Sequence, residues 1–339
     1  MPPEPSATHW TVTISAAGGP EVLIPREAAL PVPGDDELLI EVHAAGVNRH
    51  DVNQRKRGPS AGHSDVPGLE VAGIVRAAGR GVTGWQPGAR VCALTDGGGY
   101  AQYALANAGH AFALARNMDF FQGAALPEAL FTIWHNVFSL AALGPGESVL
   151  LHGGTSGVGT IAIQLLTRLG HSVFATCGSP QKLQLARSLG ATAVFDYRAD
   201  DFAVGTQQAT GGRGVDVILD MSGGKYSEQN LVALARRGRL LHLSPGDGAD
   251  FKVKLRAIMA KEAQITGSLL RPLPDHEKTL MAAKIRDHVW PYFAESSIRP
   301  VIRQVFPLQQ AAAAHAAMEQ PDHYGKVLLD CRSQNGVSA

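Results

Sequence analysis

Residues 147–182 read ESVLLHGGTSGVGTIAIQLLTRLGHSVFATCGSPQK. Val149, Leu150 and Leu151 form a short apolar run of the kind that becomes a buried parallel strand. Gly153, Gly154, Gly157 and Gly159 follow at once. Ile161, Leu165, Leu166 and Leu169 then share one helical face up to Gly170. His171 to Thr176 reads as a second strand. Strand, glycine turn, helix, strand is the unit in which backbone approaches a pyrophosphate at the positive end of a helix. The spacing Gly154-x-x-Gly157-x-Gly159 departs from G-x-G-x-x-G, so the flanking strands carry the reading as much as the glycines do. Gly153, Thr155, Ser156, Gly157, Val158 and Gly159 are the candidate phosphate-contacting residues.

The end of the second strand selects among dinucleotides. An NAD site places Asp or Glu there to accept hydrogen bonds from ribose hydroxyls. Here the residues are Thr176, Cys177, Gly178 and Ser179, with Lys182 in the first turn of the next helix. A hydroxyl, free backbone amides and an ammonium suit a 2'-phosphate, which a carboxylate would repel. The alternative for Lys182 is an ordinary solvated lysine. The pattern favours NADPH over NADH.

A chain of 339 residues is long enough for two domains. Zero formal net charge argues against nucleic acid or an acidic membrane as partner. No apolar run reaches spanning length. The opening MPPEPSATHW lacks the pattern of a secretory signal and reads as a short disordered lead-in. Cys92, Cys177 and Cys331 are isolated, which excludes a disulfide framework and a four-cysteine zinc site and suggests a cytoplasmic protein.

Residues 10–110 carry strand-like segments, TVTISA, LLIEVHAAGVN, LEVAGIVRAAG and ARVCAL, between Gly, Pro and Asp turns. A helical pattern runs from Gln122 to the stop at Gly144-Pro145-Gly146. Beyond residue 182, KLQLARSLG reads as helix, TAVFDY and GVDVILDMSGG as strands, EQNLVALARRG as helix and RLLHLS as strand. That alternation builds an open, doubly wound parallel sheet. A long helical pattern over 274–295 precedes strand, short helix and strand in IRPVIRQVFP, AAAAHAAMEQ and GKVLLD. This tail resembles the start of the chain, so the nucleotide domain is expected to be inserted within the other. The expected division is 1–127 with 297–339, and 128–296.

The segments AAGVNRHDVNQR, PGLEVAGIV, GGGYAQYAL, ALPEALFTIW, LLHGGTSGVGTIAIQL, GVDVILDMSGG, ITGSLLR and GKVLLD, in this order, resemble the medium-chain dehydrogenase/reductase superfamily. The resemblance is to its zinc-free quinone oxidoreductase branch, nearest the tumour-suppressor-inducible quinone oxidoreductase group. It covers residues from about Thr11 to Asp330. It implies an α/β fold, a Rossmann doubly wound parallel sheet inserted in a GroES-like β-rich catalytic domain. It also implies NADPH as cofactor, a quinone or conjugated carbonyl as small-molecule substrate, and a homodimer. Ser179, Lys182 and Tyr197 match the family's 2'-phosphate contacts. Ser222, Ser244, Ser268, Leu269, Leu270 and Lys326 complete the implied cofactor contacts, several in loops at the sheet's carboxyl edge where ligands bind. Asn48 and Thr132 match residues facing nicotinamide and substrate. Each has a plainer reading as a group bonding its own backbone.

Zinc-dependent relatives place a Cys where this chain has Asn48, and His-Glu where it has Leu69-Glu70. His43, His50 and His63 have neither helix-pair nor finger spacing, so no metal is expected. Asp51 and Arg55 read as an i,i+4 ion pair. The stretch KRGPSAGHSDVP lacks the tyrosine that relatives carry there, and Lys56 and Arg57 make it more basic, which points to smaller or anionic acceptors. Without a Lewis acid, the acceptor must already be electrophilic, with hydride delivered through proximity. A quinone reductase fits best. An enoyl or alkenal double-bond reductase and an NADPH-binding, crystallin-like protein of little turnover are the rivals.

Overall fold

The computed structural model describes residues 8–246 and 250–332. Of the expected lead-in, residues 1–7 lie outside the described residues, whereas Thr8–Trp10 open the first strand. In chain order come β1 (Thr8–Ile14), β2 (Leu23–Ala29), β3 (Glu37–Val47), α1 (Arg49–Arg57), β4 (Glu70–Ala78), β5 (Arg90–Leu94), β6 (Tyr103–Asn107) and β7 (Ala111–Ala113). Helices α2 (Phe120–Ala124) and α3 (Pro127–Ile133) follow. The inserted part holds β8 (Val149–His152), α4 (Gly157–Arg168), β9 (Val173–Cys177), α5 (Pro180–Ser188), β10 (Ala193–Asp196), α6 (Phe202–Ala209), β11 (Val215–Asp220), α7 (Ser227–Ala233), β12 (Leu234–His242), α8 (Leu255–Lys261) and β13 (Gln264–Gly267). The tail holds α9 (Asp275–His288), α10 (Trp290–Ala294), β14 (Ile302–Pro307), α11 (Ala311–Met318) and β15 (Lys326–Asp330).

Two compact units result, residues 1–131 with 274–339, and residues 132–273. In the first, β14-β15-β3-β4-β5-β7 form one sheet, with β6 also on β3. The tail does return: β15 pairs antiparallel with β3, Val327 opposite Val47. Leu38, Leu39, Ile40, Val71, Ala72, Val91 and Leu329 are buried, so over much of their length β3, β4, β5 and β15 are covered on both faces.

The second unit has parallel strand order β10-β9-β8-β11-β12-β13. That is the Rossmann order, which reverses between β8 and β11. β8 and β9 are buried along their whole length, which explains their unbroken apolar runs.

The units divide at Phe131/Thr132 and Leu273/Pro274 rather than at 127 and 297, so α9 and α10 belong to the first. Trp290 stacks on Phe112 at 4.8 Å and donates to the Ala113 carbonyl, which holds this stretch there. The single helix expected from Gln122 is broken before Pro127, and its last turns, Trp134–Leu140, are wound as a π-helix. EQNLVALARRG is helical only to Ala233. From Leu234 it is already strand, with residues 235–238 thrown out as a bulge around the left-handed Arg237.

Asp51 and Arg55 do not pair with each other. Asp51 accepts from the Asn48 and Gly68 amides and from the Tyr100 hydroxyl, while Arg55 pairs with Glu319 at 2.8 Å. Tyr100 gives its proton to Asp51, so its oxygen accepts from Nε2–H of His315 at 2.9 Å. Burial, then the Arg55 charge, pushes His315 down to about 3. Its folded value lies below the unfolded one, so the neutral ring's contribution is full above pH 6.5 and is lost as pH falls. The variant His315→Gln lacks this loss. Between pH 7 and pH 4.5 its stability deficit against the parent should shrink by about 3 kcal/mol, read from urea unfolding at each pH. A constant deficit would contradict the assignment.

Candidate functional site

The loop after β8 has the geometry that a pyrophosphate needs. Gly153 adopts φ +67°, and a Cβ there would lie 2.8 Å from the Met221 sulfur. A Cβ on Gly159 would meet the Gly153 carbonyl oxygen at 2.4 Å, so the first turn of α4 can lie against the loop only without a side chain. Ser156 caps α4, its hydroxyl accepting from the Gly159 amide at 3.0 Å. The amides of Gly157 and Val158, in the helix's first turn, have no carbonyl four residues back within the helix. Thr155 is buried and its side chain bonds Cys177.

At the end of β9, Ser179 caps α5, its hydroxyl 3.4 Å from the Lys182 amide. Tyr197 follows β10, and its amide bonds the Cys177 carbonyl. A Cβ on Gly178 would lie 2.3 Å from the Tyr197 hydroxyl, so this glycine lets the phenol rest on the turn. Arg198 lies 5.9 Å over the Tyr197 ring. Ser179 and Lys182 after β9 thus neighbour Tyr197 and the exposed Arg198 after β10; β9 itself ends without a carboxylate, although Asp196 of β10 pairs opposite Cys177. Sequence reasoning missed Arg198, although its place beside Tyr197 was visible.

Beyond β11, β12 and β13 lies a pocket of 620 Å³, lined among others by Gly223, Ser244, Phe251, Ser268 and Leu269. Ser222 is adjacent, its amide donating to Asp220 at 2.6 Å, and Leu270 follows Leu269 half-buried. Four buried groups brace this edge. Asn230 donates to Asp220 at 2.9 Å, so its oxygen accepts from Nε2–H of His152 at 2.7 Å. His152 Nδ1 then accepts from the Thr176 hydroxyl. Burial pushes Asp220 up, but the bond from His242 and neighbouring charge hold it below the usual range, so it stays a carboxylate.

Thr132, in α3, is half-buried, and its hydroxyl bonds no group among the described residues. Its carbonyl accepts from the Asn136 amide at 2.9 Å, and the Asn136 oxygen accepts from Ser268 at 2.7 Å. Asn136, one turn on in the π-helical stretch, thus couples two expected site residues. It was not singled out from sequence.

Asn48 belongs to the first unit. Its Nδ2 donates to Glu70 Oε1 at 2.9 Å, and its Oδ1 accepts from Lys326 Nζ at 2.8 Å. Lys326 also pairs with Glu70, and both are buried. The Glu128 amide donates to the other Glu70 oxygen at 3.0 Å. Lys326, expected at the cofactor, lies with its ammonium against Glu70 and Asn48, where it supplies the counter-charge that the buried carboxylate needs. Asn48 is thus fixed by side chains rather than bonding its own backbone through its amide. The basic rim differs as well, since Lys56 pairs with Glu319 at 2.7 Å.

Comparison with known proteins agrees with this construction. Residues 34–116 match the family described as alcohol dehydrogenase GroES-like domain, and residues 157–285 that described as zinc-binding dehydrogenase. The quinone oxidoreductase of Rattus norvegicus is 34% identical over 92% of this chain and 94% of its own. The solved Escherichia coli quinone oxidoreductase complexed with NADPH superimposes with a TM-score of 0.84 at 30% identity, over 96% of this chain and all of that one. The CurK enoyl reductase gives 0.82 at 26% identity, over 95% of this chain and 99% of that one. The fold and site define an oxidoreductase with a nucleotide-binding unit. The chain belongs to the medium-chain dehydrogenase/reductase superfamily and, within it, to the quinone oxidoreductase branch. Among the described residues no helix is long and apolar enough to cross a membrane.

Replacing Lys326 by Met should cost about 3–5 kcal/mol in chemical denaturation, because Glu70 is left charged and buried without its cation. Adding Glu70→Gln should recover most of that loss. A loss below about 1 kcal/mol for the single variant would show that the pair does not hold this region.

Proposed function

We propose that the protein is a zinc-independent, NADPH-dependent reductase of quinones or related conjugated carbonyls. The carrying observation is that β9 itself ends without an acid and is followed by Ser179 and Lys182, with Tyr197 of the neighbouring turn resting on Gly178 and Arg198 beside it. Hydroxyls, amides and cations at one turn recognise a 2'-phosphate. The loop from Gly153 to Gly159, with α4 behind it, receives the pyrophosphate. Ser222, Ser244, Ser268, Leu269 and Leu270 border the pocket that suits the nicotinamide end. When bound, the reduced nicotinamide supplies a hydride. By their match to the family, Asn48, held by Glu70 and Lys326, is the candidate group for the acceptor, and the Thr132 hydroxyl that for the cofactor.

Zinc independence is supported by the place that zinc-dependent relatives give to metal ligands. Leu69 offers no lone pair, and Glu70 is already neutralised by the Lys326 ammonium. Chemistry therefore falls to acceptors activated by their own conjugation. Residues 59–65 are exposed and carry no tyrosine, phenylalanine or tryptophan, which favours smaller acceptors over bulky stacked quinones. That same feature supports reduction of an enone double bond as the second reading.

Titration should show NADPH bound at least tenfold more tightly than NADH. The change Lys182→Ala should weaken NADPH by about 1.5–3 kcal/mol, roughly ten- to hundredfold, and leave NADH nearly unaffected. Following NADPH absorbance against a panel of quinones and enones separates the two readings, and turnover should survive a zinc chelator. Equal affinity for both cofactors would overturn the reading, and NADPH binding without turnover of any acceptor would favour a binding protein instead.

The homodimer is proposed on the edge strand β13, which is largely exposed next to Leu255, Met259 and Leu269, each at least two-thirds exposed. An unpaired edge with apolar neighbours suits pairing with a second copy. Sedimentation equilibrium should give twice the chain mass; a monomer at micromolar concentration would refute this.

A further inference from the structure

Glu128, joined to Asn48 through Glu70, is an acidic group that the scheme above leaves without a task. Its backbone is fixed, since its amide donates to Glu70 and it lies in the first turn of α3. The residue is half-buried, and its carboxyl makes no hydrogen bond to any described residue, unlike Glu70 and Asp51 nearby. On the helix it stands four residues before Thr132, on the same face. A carboxyl pinned at its backbone, unpartnered at its head and partly open to solvent is placed to exchange a proton rather than to support the fold.

We propose that Glu128 is the acid that protonates the acceptor, an inference that rests on the reductase reading above. Once the acceptor carries the hydride, the displaced π pair sits on its carbonyl oxygen. The O–H bond of Glu128 breaks, its proton forms the new O–H bond on the acceptor, and Glu128 is left as a carboxylate. Water at its exposed edge returns the proton, so each turnover consumes one hydride and one proton. An acceptor without metal activation gains most from such a donor, because developing negative charge on its oxygen has no cation to meet it.

The surroundings keep the acid form available. Burial, then the Glu70 charge, with a smaller push from Asp51, raises Glu128 to about 8, while Lys326 and Lys278 oppose the shift. The acid form is the active one, so kcat should fall as pH rises through about 8.

The test compares the enzyme with Glu128→Gln and Glu128→Asp. Gln keeps the shape but cannot donate an acidic proton. It should lower kcat about 100-fold, abolish the descent near pH 8 and raise the solvent deuterium isotope effect. NADPH affinity and thermal midpoint should stay unchanged. Asp should retain the pH dependence with an intermediate rate. If Glu128→Gln keeps the parent kcat and pH profile while the parent turns over, the acid assignment fails and the reductase reading stands. If the parent reduces no acceptor, both fail together.

Discussion

The carboxylate of Glu70 is the point on which the first unit turns. It opens β4, yet its two oxygens receive the amide of Asn48 before α1, the ammonium of Lys326 from β15 and the backbone of Glu128 in α3. Four separate parts of the chain are fixed by one buried charge. A buried carboxylate without partners would cost several kcal/mol, so any arrangement that dissolves this cluster is strongly disfavoured. Close packing enforces the same geometry. A Cβ on Gly46 would fall 2.2 Å from the Glu70 oxygen, so β3 can pass only as glycine at that point. Such a cluster adds little net stability over an apolar one, but it specifies where Asn48 points.

Asp220 does the corresponding work in the second unit. It receives Asn230, the amides of Ser222 and Gly223, and His242, while Asn230 in turn orders His152. These groups stand at the carboxyl ends of β8, β11 and β12, where this sheet order leaves room for a ligand. Each unit therefore surrounds a buried carboxylate with donors. Rigidity of this kind is what proximity catalysis requires, since a displaced amide or hydroxyl forfeits orientation.

The sheet of the second unit was legible because its information is local. The run at Val149–Leu151, the glycines and the helical spacing of α4 lie within two dozen residues, and burial on both faces makes β8 and β9 uniformly apolar. The place of Ser179 and Lys182 at the start of α5 was legible for the same reason. β2 was not, since Pro25, Arg26 and Glu27 interrupt its pattern along an exposed face. The start of β12 was misread because ARRG follows a leucine-alanine rhythm that suits either state, and only pairing of Leu234 with Val215 decides it. Asp51 with Arg55 had ideal helix spacing, but Gly68 and Tyr100 arrive from distant parts of the sheet to claim the carboxylate. Lys326 and Glu70 are 256 residues apart, and no periodicity could join them.

The Lys326 ammonium also constrains the chemistry. It is a fixed positive charge on a tether, with two of its protons directed at Asn48 and Glu70, and it has no vacant orbital to accept a carbonyl lone pair. A zinc ion in its place would polarise an unactivated ketone; an ammonium already shared between a carboxylate and an amide does not. Under the proposed reading, the barrier must then be lowered by orientation, by the acceptor's own conjugation and by a well-placed proton. The orientation of Asn48 depends on the same lysine. In this unit that orientation is thus tied to a single buried charge pair.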